Sequence, residues 1–264
     1  MEVTKIHSVA GVLDLKKGIV VERPFRSPHH TATLIALTGG GMKAKPGEIS
    51  LAHNGVLFLD EMPEYARNTI ETLRQPMEDG HITVARNALT VQYPANFNLV
   101  ASMNPCPCGY YGSTTNQCKC TPAAIHSYLS KISGPLLDRI DLHIEVDAIN
   151  YEELTQRELE EPSSEIKKRV NKAREIQLNR FKDSKIYSNS KMSEKEFREY
   201  CNLDKECTDL IEMAFRKLNM SARAYNRILK VARTIADLEG SENIKKSHLL
   251  EAIQYRSLDK KYTV

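Results

Sequence analysis

Two hydrophobic periodicities divide this chain into two parts. From Gly55 to Val146, short apolar runs alternate with turn residues and one helical segment, which predicts part of an α/β sheet with its connections. After Ile149 the apolar residues recur at helical spacing and strand signals nearly disappear. The pattern predicts an α/β domain over residues 1–148 and an all-α domain over residues 149–264.

The second part carries both apolar helix faces and residues typical of helix ends. Ser193 with Glu196 three residues later is a capping-box pattern, and Ser221 precedes a further apolar run. Gly240 is typical of a helix end. The predicted apolar faces comprise Ile166, Val170, Ala173 and Ile176, followed by Leu210, Ile211, Ala214 and Leu218.

The most informative run begins at Gly55 and is an apolar strand that ends in the adjacent carboxylates Asp60 and Glu61. Enzymes that hydrolyse nucleoside triphosphates use acidic residues at this position of a strand. By the same chemistry, Asp60 is predicted to hold Mg²⁺ and Glu61 is predicted to orient the attacking water. The alternative is an acidic N-cap for a helix that begins near Tyr65. The sequence contains no G-x-x-x-x-G-K-[ST] loop, which would cradle the β- and γ-phosphates.

A second apolar strand, predicted from Phe97 to Met103, ends in Asn104 and Pro105. The carboxyl ends of parallel strands are where α/β sheets bind their ligands. The amide of Asn104 is therefore a candidate to bond the γ-phosphate or the attacking water. Considered alone, Asn104 is also typical of a turn before proline.

Two basic segments are predicted to project from the sheet. The alternating runs 82–84 and 89–93 predict a β-hairpin with Arg86 at its tip, and the glycine-rich segment 39–47 carries Lys43 and Lys45. Basic projections can track a phosphate backbone, so these three cations are candidate nucleic-acid contacts. Solvated charge on surface loops is the alternative.

Two arginines are further candidates for anion contacts. Arg139 precedes the alternating run 141–146, which predicts a strand, and an arginine can neutralise a transferring phosphoryl group, even from a neighbouring subunit. Its alternative role is a salt bridge to a nearby aspartate. Arg223 follows the helix start at Ser221, where the helix dipole also favours an anion, although an exposed arginine at such a position is ordinary.

Composition adds limits to this picture. The chain has 264 residues, of which 41% are hydrophobic and 27% charged, as in soluble globular proteins. No apolar run is long enough for a membrane span, and the first residues do not form a signal peptide, so a cytoplasmic protein without membrane partners is predicted. The net charge of +3 is too small to identify a nucleic-acid binder.

Four of the six cysteines are close together in the sequence. Cys106 and Cys108 form one C-x-C pair, nine residues follow, and Cys118 and Cys120 form a second pair. Four thiolates in two pairs predict a closed tetrahedral Zn²⁺ site that ties down the loop between them. Free thiols and an oxidative disulfide are the competing interpretations.

Together these motifs resemble the magnesium-chelatase-like AAA+ ATPases of the ComM/YifB type. The resemblance extends through nearly the whole chain and is most specific at residues 23–30, 47–61, 104–109 and 134–141. It implies a partial AAA+ P-loop-NTPase-like sheet with β-hairpin inserts, followed by an all-α lid domain.

The resemblance also implies a role for each candidate residue. Asp60 and Glu61 correspond to the Walker B pair, with Asp60 on Mg²⁺. Asn104 corresponds to sensor 1, Arg139 to the arginine finger, and Arg223 to sensor 2 on an ATP phosphate. Segments 39–47 and 85–88 correspond to the helix-2 insert and the pre-sensor-1 hairpin, which face the central pore of a ring.

The function implied is that of the C-terminal portion of an ATPase that assembles into a homo-oligomeric ring, a hexamer, and uses ATP and Mg²⁺ to remodel or translocate DNA. Family members carry their P-loop in a segment that precedes the first residue of this chain. We therefore expect weak or no ATP binding and no hydrolysis by this chain alone. The alternatives are a magnesium-chelatase-type motor subunit that drives metal insertion into a porphyrin, and a non-enzymatic assembly or DNA-binding module.

Overall fold

The computed structural model describes residues 1–14, 16, 18–86, 89–113, 116–146 and 161–256. It divides into two compact units, the first ending at Ile140 and the second beginning at Asp141. The domain boundary predicted between residues 148 and 149 lies outside the described residues. Each unit has its own hydrophobic core.

The first unit alternates short helices with short strands. In chain order its elements are α1 (Glu2–Ala10), β1 (Phe25–Arg26), α2 (Leu34–Thr38), β2 (Gly39–Gly40), β3 (Lys45–Pro46), α3 (Glu48–Leu51), β4 (Val56–Leu59), a 3₁₀ turn (Met62–Glu64), α4 (Arg67–Glu71), α5 (Arg74–Asp79), β5 (His81–Arg86), β6 (Leu89–Pro94), β7 (Asn98–Ala101), α6 (Pro122–Leu129) and α7 (Gly134–Leu137).

A parallel sheet of three strands, in the order β1-β4-β7, forms the frame of this unit. Leu59, the last residue of β4, pairs with Ala101, the last residue of β7. Leu57 and Leu59 are fully buried in the core beneath the sheet. The strand predicted to end at Asp60 is confirmed, and the strand predicted from Phe97 to Met103 is present but shorter.

Two antiparallel ribbons accompany the sheet. Strands β2 and β3 pair with each other, and β5 and β6 form the predicted hairpin in the register His81 to Pro94. Residues 87–88, at the tip of this hairpin, lie outside the described residues. The hydroxyl of Tyr93 in β6 donates a 2.8 Å hydrogen bond to the carbonyl of Ala44, so the two ribbons lie side by side.

The strand predicted for residues 141–146 is wrong. This segment forms no regular structure, and Leu142, Ile144 and Val146 are 45%, 67% and 85% exposed. Alternating apolar residues become a strand only where a neighbouring strand satisfies the backbone groups. Among the described strands, none pairs with this segment.

The second unit is helical. Its elements are α8 (Ser163–Arg180), a 3₁₀ turn (Asn189–Lys191), α9 (Glu194–Tyr200), α10 (Lys205–Leu218), α11 (Ala222–Glu239) and α12 (Lys246–Gln254). Within the described residues, no helix of either unit combines the length and apolarity that a membrane span requires.

The predicted helix ends are confirmed. Ser193 and Glu196 form the capping box of α9, and the Ser221 hydroxyl accepts a 3.0 Å hydrogen bond from the backbone N–H of Ala224. Gly240 ends α11 with φ at 78°, in the left-handed region that glycine adopts without strain.

The predicted apolar face of α8 is only partly correct. Ile166 and Val170 are 41% and 44% exposed, whereas Ala173 and Gln177 are buried. The burial is therefore confined to the C-terminal half of the helix, which is the half that carries Arg180. The spacing of apolar residues predicts which face of a helix is buried, but not how much of that face other elements cover.

A buried charge network connects α8 with α11. Asp237 is 1% exposed and accepts hydrogen bonds of 2.5 and 2.8 Å from the guanidinium of Arg180. The carboxylate also accepts from the Asn189 side-chain amide at 2.7 Å and from Arg233, which is 3% exposed. Such buried charges are tolerated because each has hydrogen-bonded partners of opposite sign.

Candidate functional site

Asp60 and Ser102 lie side by side because each directly follows one of two paired parallel strands. The Ser102 hydroxyl donates a short hydrogen bond to Asp60 Oδ1. The backbone N–H of Glu61 lies 3.1 Å from both Asp60 Oδ1 and Ser102 Oγ. The carboxyl edge of the sheet thus fixes the orientation of the Asp60 carboxylate.

Glu61 has an unusual backbone conformation. Its φ and ψ are 50° and 47°, the left-handed region, which costs a residue with a side chain about 1–2 kcal/mol. Two hydrogen bonds hold the turn: the N–H of Met62 donates to Ser102 O at 2.9 Å and that of Glu64 to Glu61 O at 2.7 Å. The Glu61 side chain is 51% exposed, so its carboxylate is accessible to a ligand and to water.

His30 adds an imidazole to this edge. It lies in the loop that follows β1, and its Nδ1 atom is 3.5 Å from Glu61 Oε2. The loop is anchored by Tyr65, whose hydroxyl donates a 2.5 Å hydrogen bond to Pro28 O. Burial, followed by the nearby charge of Asp60, raises the pKa of Tyr65 to about 12, so the phenol stays protonated and continues to donate.

Asn104 lies beyond β7, on the stretch that leaves the same edge of the sheet, and its side chain is exposed. Its backbone hydrogen bonds to Tyr128 in α6. Burial, with smaller contributions that include the charge of Glu64, raises the pKa of Tyr128. Asp60, Glu61 and Asn104 therefore all follow strand ends at one edge, where parallel sheets bind ligands.

The donor set at this edge fits Mg²⁺. Asp60 offers an exposed carboxylate, and Mg²⁺ in phosphate-handling sites takes one or two carboxylates together with water and phosphate oxygens. When bound there, the ion would neutralise charge on the phosphates.

Arg139 occupies different surroundings. Its side chain is 8% exposed, and its guanidinium donates to Glu78 Oε2 at 2.5 Å and to Pro135 O at 2.6 Å. The ion pair with Glu78 joins the end of α5 to the residues after α7. Arg139 lines a surface cavity of about 560 Å³ whose lining does not include Asp60, Glu61 or Asn104.

Arg223 is the second residue of α11 and is exposed. It lies at the end of the helix where the backbone dipole favours anions. Arg223 belongs to the second unit.

The basic candidates lie on the two ribbons. Lys43 and Lys45 are exposed, and Met42 beside them is fully exposed at the turn between β2 and β3. The backbone of Arg86 pairs with Leu89 in the hairpin, next to the tip. Tyr93, which lies near the base of the hairpin, joins it to Ala44 in the turn between β2 and β3.

The four cysteines Cys106, Cys108, Cys118 and Cys120 converge. All four Sγ atoms lie within 4.8 Å of one another. Backbone N–H groups of Tyr110 and then Lys119 lower the pKa of Cys108 to about 6. Cys201 and Cys207 are buried in the core of the second unit, as expected from their helical context.

Ser102 and His30 were not identified from the sequence as site residues. Serine after a strand is common, and the significance of Ser102 depends on the register between β4 and β7. Position is the one signal that could have identified them. Ser102 follows the second predicted strand, and His30 follows β1, which pairs with the strand that carries the acidic pair.

The fold and this edge define the class of protein. A parallel sheet with an acidic pair at its carboxyl edge, followed by a helical C-terminal region, is an AAA+-like fold. The family described as "Magnesium chelatase, subunit ChlI" matches residues 1–154, and "Magnesium chelatase, subunit ChlI C-terminal" matches residues 160–256. The chain belongs to the magnesium chelatase ChlI family, which confirms the resemblance seen in its motifs.

Similar proteins include two bacterial relatives and a chelatase subunit. The chain is 48% identical over 238 residues to competence protein ComM of Haemophilus influenzae, covering 90% of this chain and 46% of that protein. It is 46% identical over 240 residues to YifB of Escherichia coli, with the same 90% and 46% coverage. Magnesium-chelatase subunit ChlI of Mesostigma viride is 26% identical over 164 residues, which cover 62% of this chain and 38% of that subunit. The chain thus spans about half the length of its ComM and YifB relatives.

Proposed function

We propose that this chain is the part of an ATPase that carries the catalytic acidic pair and the helical lid. The intact ATPase assembles into a ring and couples ATP hydrolysis to the remodelling or translocation of DNA. The observation that carries the proposal is the Asp60-Glu61 pair at the carboxyl edge of a parallel sheet, held by Ser102 from the neighbouring strand. Membership of the magnesium chelatase ChlI family and the similarity to competence protein ComM support it.

In this proposal the residues divide the work of phosphoryl transfer. Asp60 would hold Mg²⁺, which would neutralise charge on the phosphates, and Glu61 orients the attacking water with its accessible carboxylate. Asn104 bonds the γ-phosphate or the water from the next strand. Arg139 and Arg223 act as the finger and the lid sensor in the assembled ring, where an arginine stabilises the charge on the transferring group.

The P-loop is the part of the nucleotide site that the sequence lacks. Its backbone amides and lysine hold the β- and γ-phosphates, so a chain without it has little to retain ATP. We therefore expect this polypeptide alone to bind ATP weakly or not at all. Stoichiometric ATP binding by the purified chain would contradict this expectation.

DNA is the favoured substrate because of the paired ribbons. The exposed Lys43 and Lys45 lie on one ribbon and Arg86 lies near the tip of the hairpin beside it. A pair of basic projections can contact successive phosphates of a strand that passes through a ring. The name of the Haemophilus influenzae relative, a competence protein, agrees with a role in DNA handling.

A second candidate function is a chelatase motor that drives Mg²⁺ insertion into a porphyrin through partner subunits. It is favoured by the family description and by the 26% identity to a magnesium-chelatase subunit. A third is a module that assembles or binds DNA without hydrolysis.

A chimaera distinguishes these functions: this chain replaces the matching part of Haemophilus influenzae ComM, and ATP hydrolysis is measured with and without DNA. We expect DNA-stimulated hydrolysis that is lost in Glu61→Gln, with retained ATP binding, and is kept in the matched control Glu64→Gln. Hydrolysis indifferent to DNA but dependent on a porphyrin-binding partner would favour the chelatase. A folded, ATP-binding chimaera in which Glu61→Gln changes nothing would refute the assignment of the catalytic edge.

A further inference from the structure

The four-cysteine cluster has the dimensions of a metal site. Tetrahedral Zn²⁺ with Zn–S distances of about 2.3 Å requires sulfur atoms about 3.8 Å apart. Cys106 Sγ lies 3.4 Å from Cys108 Sγ and 3.7 Å from Cys118 Sγ, and the latter two are 3.6 Å apart. Cys120 Sγ lies within 4.8 Å of the other three.

These separations do not describe disulfides. A disulfide bond brings two sulfur atoms to about 2.05 Å, and it would join the cysteines in pairs rather than hold four sulfurs at similar spacing. All four cysteines are free thiols in the structure. A cluster of this kind, in two C-x-C pairs, is instead typical of a closed structural metal site.

Backbone N–H groups complete the surroundings of the sulfurs. Cys108 Sγ accepts from the backbone of Tyr110 and of Lys119, Cys118 Sγ from that of Cys120, and Cys120 Sγ from that of Cys108. Donors around the ligands orient them and stabilise the negative charge that four thiolates retain around a divalent ion.

The loop is shaped to bring the two pairs together. The N–H of Gly109 donates a 3.0 Å hydrogen bond to Cys106 O, and its φ of 82° lets the chain turn back directly after the first pair. Cys106 is fully buried, and the other three cysteines are half-buried. The sulfur atoms therefore face one another.

We propose that Cys106, Cys108, Cys118 and Cys120 bind one Zn²⁺ ion as four thiolates. This structural site is separate from the acidic pair at the carboxyl edge of the sheet. The four protein ligands leave no open position for a substrate, which distinguishes this site from a catalytic zinc. Zinc is favoured over Mg²⁺ or Ca²⁺ because thiolates are soft ligands, and those two ions prefer oxygen.

The site fixes the segment between β7 and α6. Asn104 is only two residues before Cys106, and its backbone is tied to Tyr128 on α6. A bound ion therefore closes the loop that begins at the predicted γ-phosphate contact. This positioning role rests on the proposed function, whereas zinc binding itself does not.

The direct test is the metal content of the full chain, purified with reduced thiols and without chelators. We expect about one zinc per chain by mass spectrometry of the metal, and Co²⁺ substitution should produce the absorption bands of a tetrahedral tetrathiolate. Cys118→Ser should lose at least about nine-tenths of the zinc, since three thiolates and a water bind far more weakly. The matched control, Cys201→Ala with Cys207→Ala, removes two cysteines outside the cluster and should keep the metal.

A measurement on the unmodified chain covers the case in which Cys118→Ser does not fold. Removal of zinc by a chelator should increase proteolytic cleavage within residues 106–120 and leave the helices of the second unit protected. Wild-type protein with reduced thiols that holds almost no zinc and gives no thiolate–Co²⁺ bands would overturn the proposal. Iron at the four sulfurs, or equal zinc loss in the control variant, would also overturn it. Failure of the ATPase experiment would leave these results unaffected.

Discussion

His30 Nδ1 lies 3.5 Å from Glu61 Oε2, and the two residues meet because they follow neighbouring parallel strands. Glu61 carries the proposed water-orienting carboxylate, and the His30 imidazole lies beside it. We therefore expect His30 to act as a positioning residue that restricts the directions that the Glu61 carboxylate can adopt.

Replacement of His30 by alanine should lower the turnover of the ATP-hydrolysing chimaera. We expect kcat to fall by about 10-fold, with little change in the KM for ATP, because the carboxylate loses a fixed orientation and no phosphate contact is removed. Steady-state kinetics measure both parameters. His126→Ala, at an exposed position of α6, is the control. A change in KM with unchanged kcat would assign His30 to nucleotide binding.

The left-handed backbone of Glu61 gives a prediction on stability. Glycine is normally less stable than alanine at an ordered position, but at a φ of 50° this order should reverse. We expect Glu61→Gly to have an unfolding free energy about 1 kcal/mol higher than that of Glu61→Ala. Denaturant titration of the full chain measures the difference. The same pair of changes at Glu64, in the adjacent 3₁₀ turn, should show alanine as the more stable variant.

The position of the acidic pair after a strand could be predicted from the sequence because it depends only on neighbouring residues. An apolar run that ends in Asp60 and Glu61 places both carboxylates after a strand, whatever the rest of the chain does. Ser102, His30 and Glu78 could not be predicted in the same way. Each acquires its role from a partner on another element: Ser102 through strand register, His30 through an adjacent loop, and Glu78 through an ion pair with Arg139, 61 residues away.

The prediction of a strand at 141–146 was wrong for the same reason, since a strand depends on a partner elsewhere in the chain. Alternation of Leu142, Ile144 and Val146 describes what one face of a strand would look like, but a strand also needs a hydrogen-bonding neighbour. Among the described strands this neighbour is missing, and the apolar side chains stay exposed. Helix ends, by contrast, depend on residues within four positions, and for that reason Ser193, Ser221 and Gly240 were predicted correctly.

Asp237 should be essential to the stability of the helical unit. Burial opposes its charge, but the hydrogen bonds from Arg180 and Asn189 and the nearby guanidinium of Arg233 outweigh that effect and lower its pKa. Asp237→Ala leaves Arg233, which is 3% exposed, without its carboxylate, and should reduce the unfolding free energy by about 3–5 kcal/mol. Thermal and denaturant unfolding measure the loss. Asp209→Ala, at an exposed position of α10, should change the free energy by no more than about 0.5 kcal/mol.

Glu239 should make the stability of the helical unit depend on pH in the acidic range. Lys245 Nζ lies 2.7 Å from its carboxylate, and the ring of His248 makes a short hydrogen bond to the same group. The hydrogen bond from Lys245, followed by that from His248, lowers the pKa of Glu239 from 4.5 to about 2 in the folded chain. The folded state thus binds fewer protons than the unfolded state between these two values.

The sign of the effect follows from this difference in bound protons. The stabilising contribution of Glu239 is fully present above pH 4.5, the value of the unfolded group, and is lost as the pH falls towards 2. Glu239→Gln should therefore be less stable than the wild type at pH 6 and approach it near pH 2, as measured by urea unfolding at a series of pH values. Glu242→Gln is the matched control, because Glu242 forms no ion pair within the part of the chain that the structure describes. A constant difference between Glu239→Gln and the wild type across the series would show that the Lys245 and His248 contacts do not depend on the charge of Glu239.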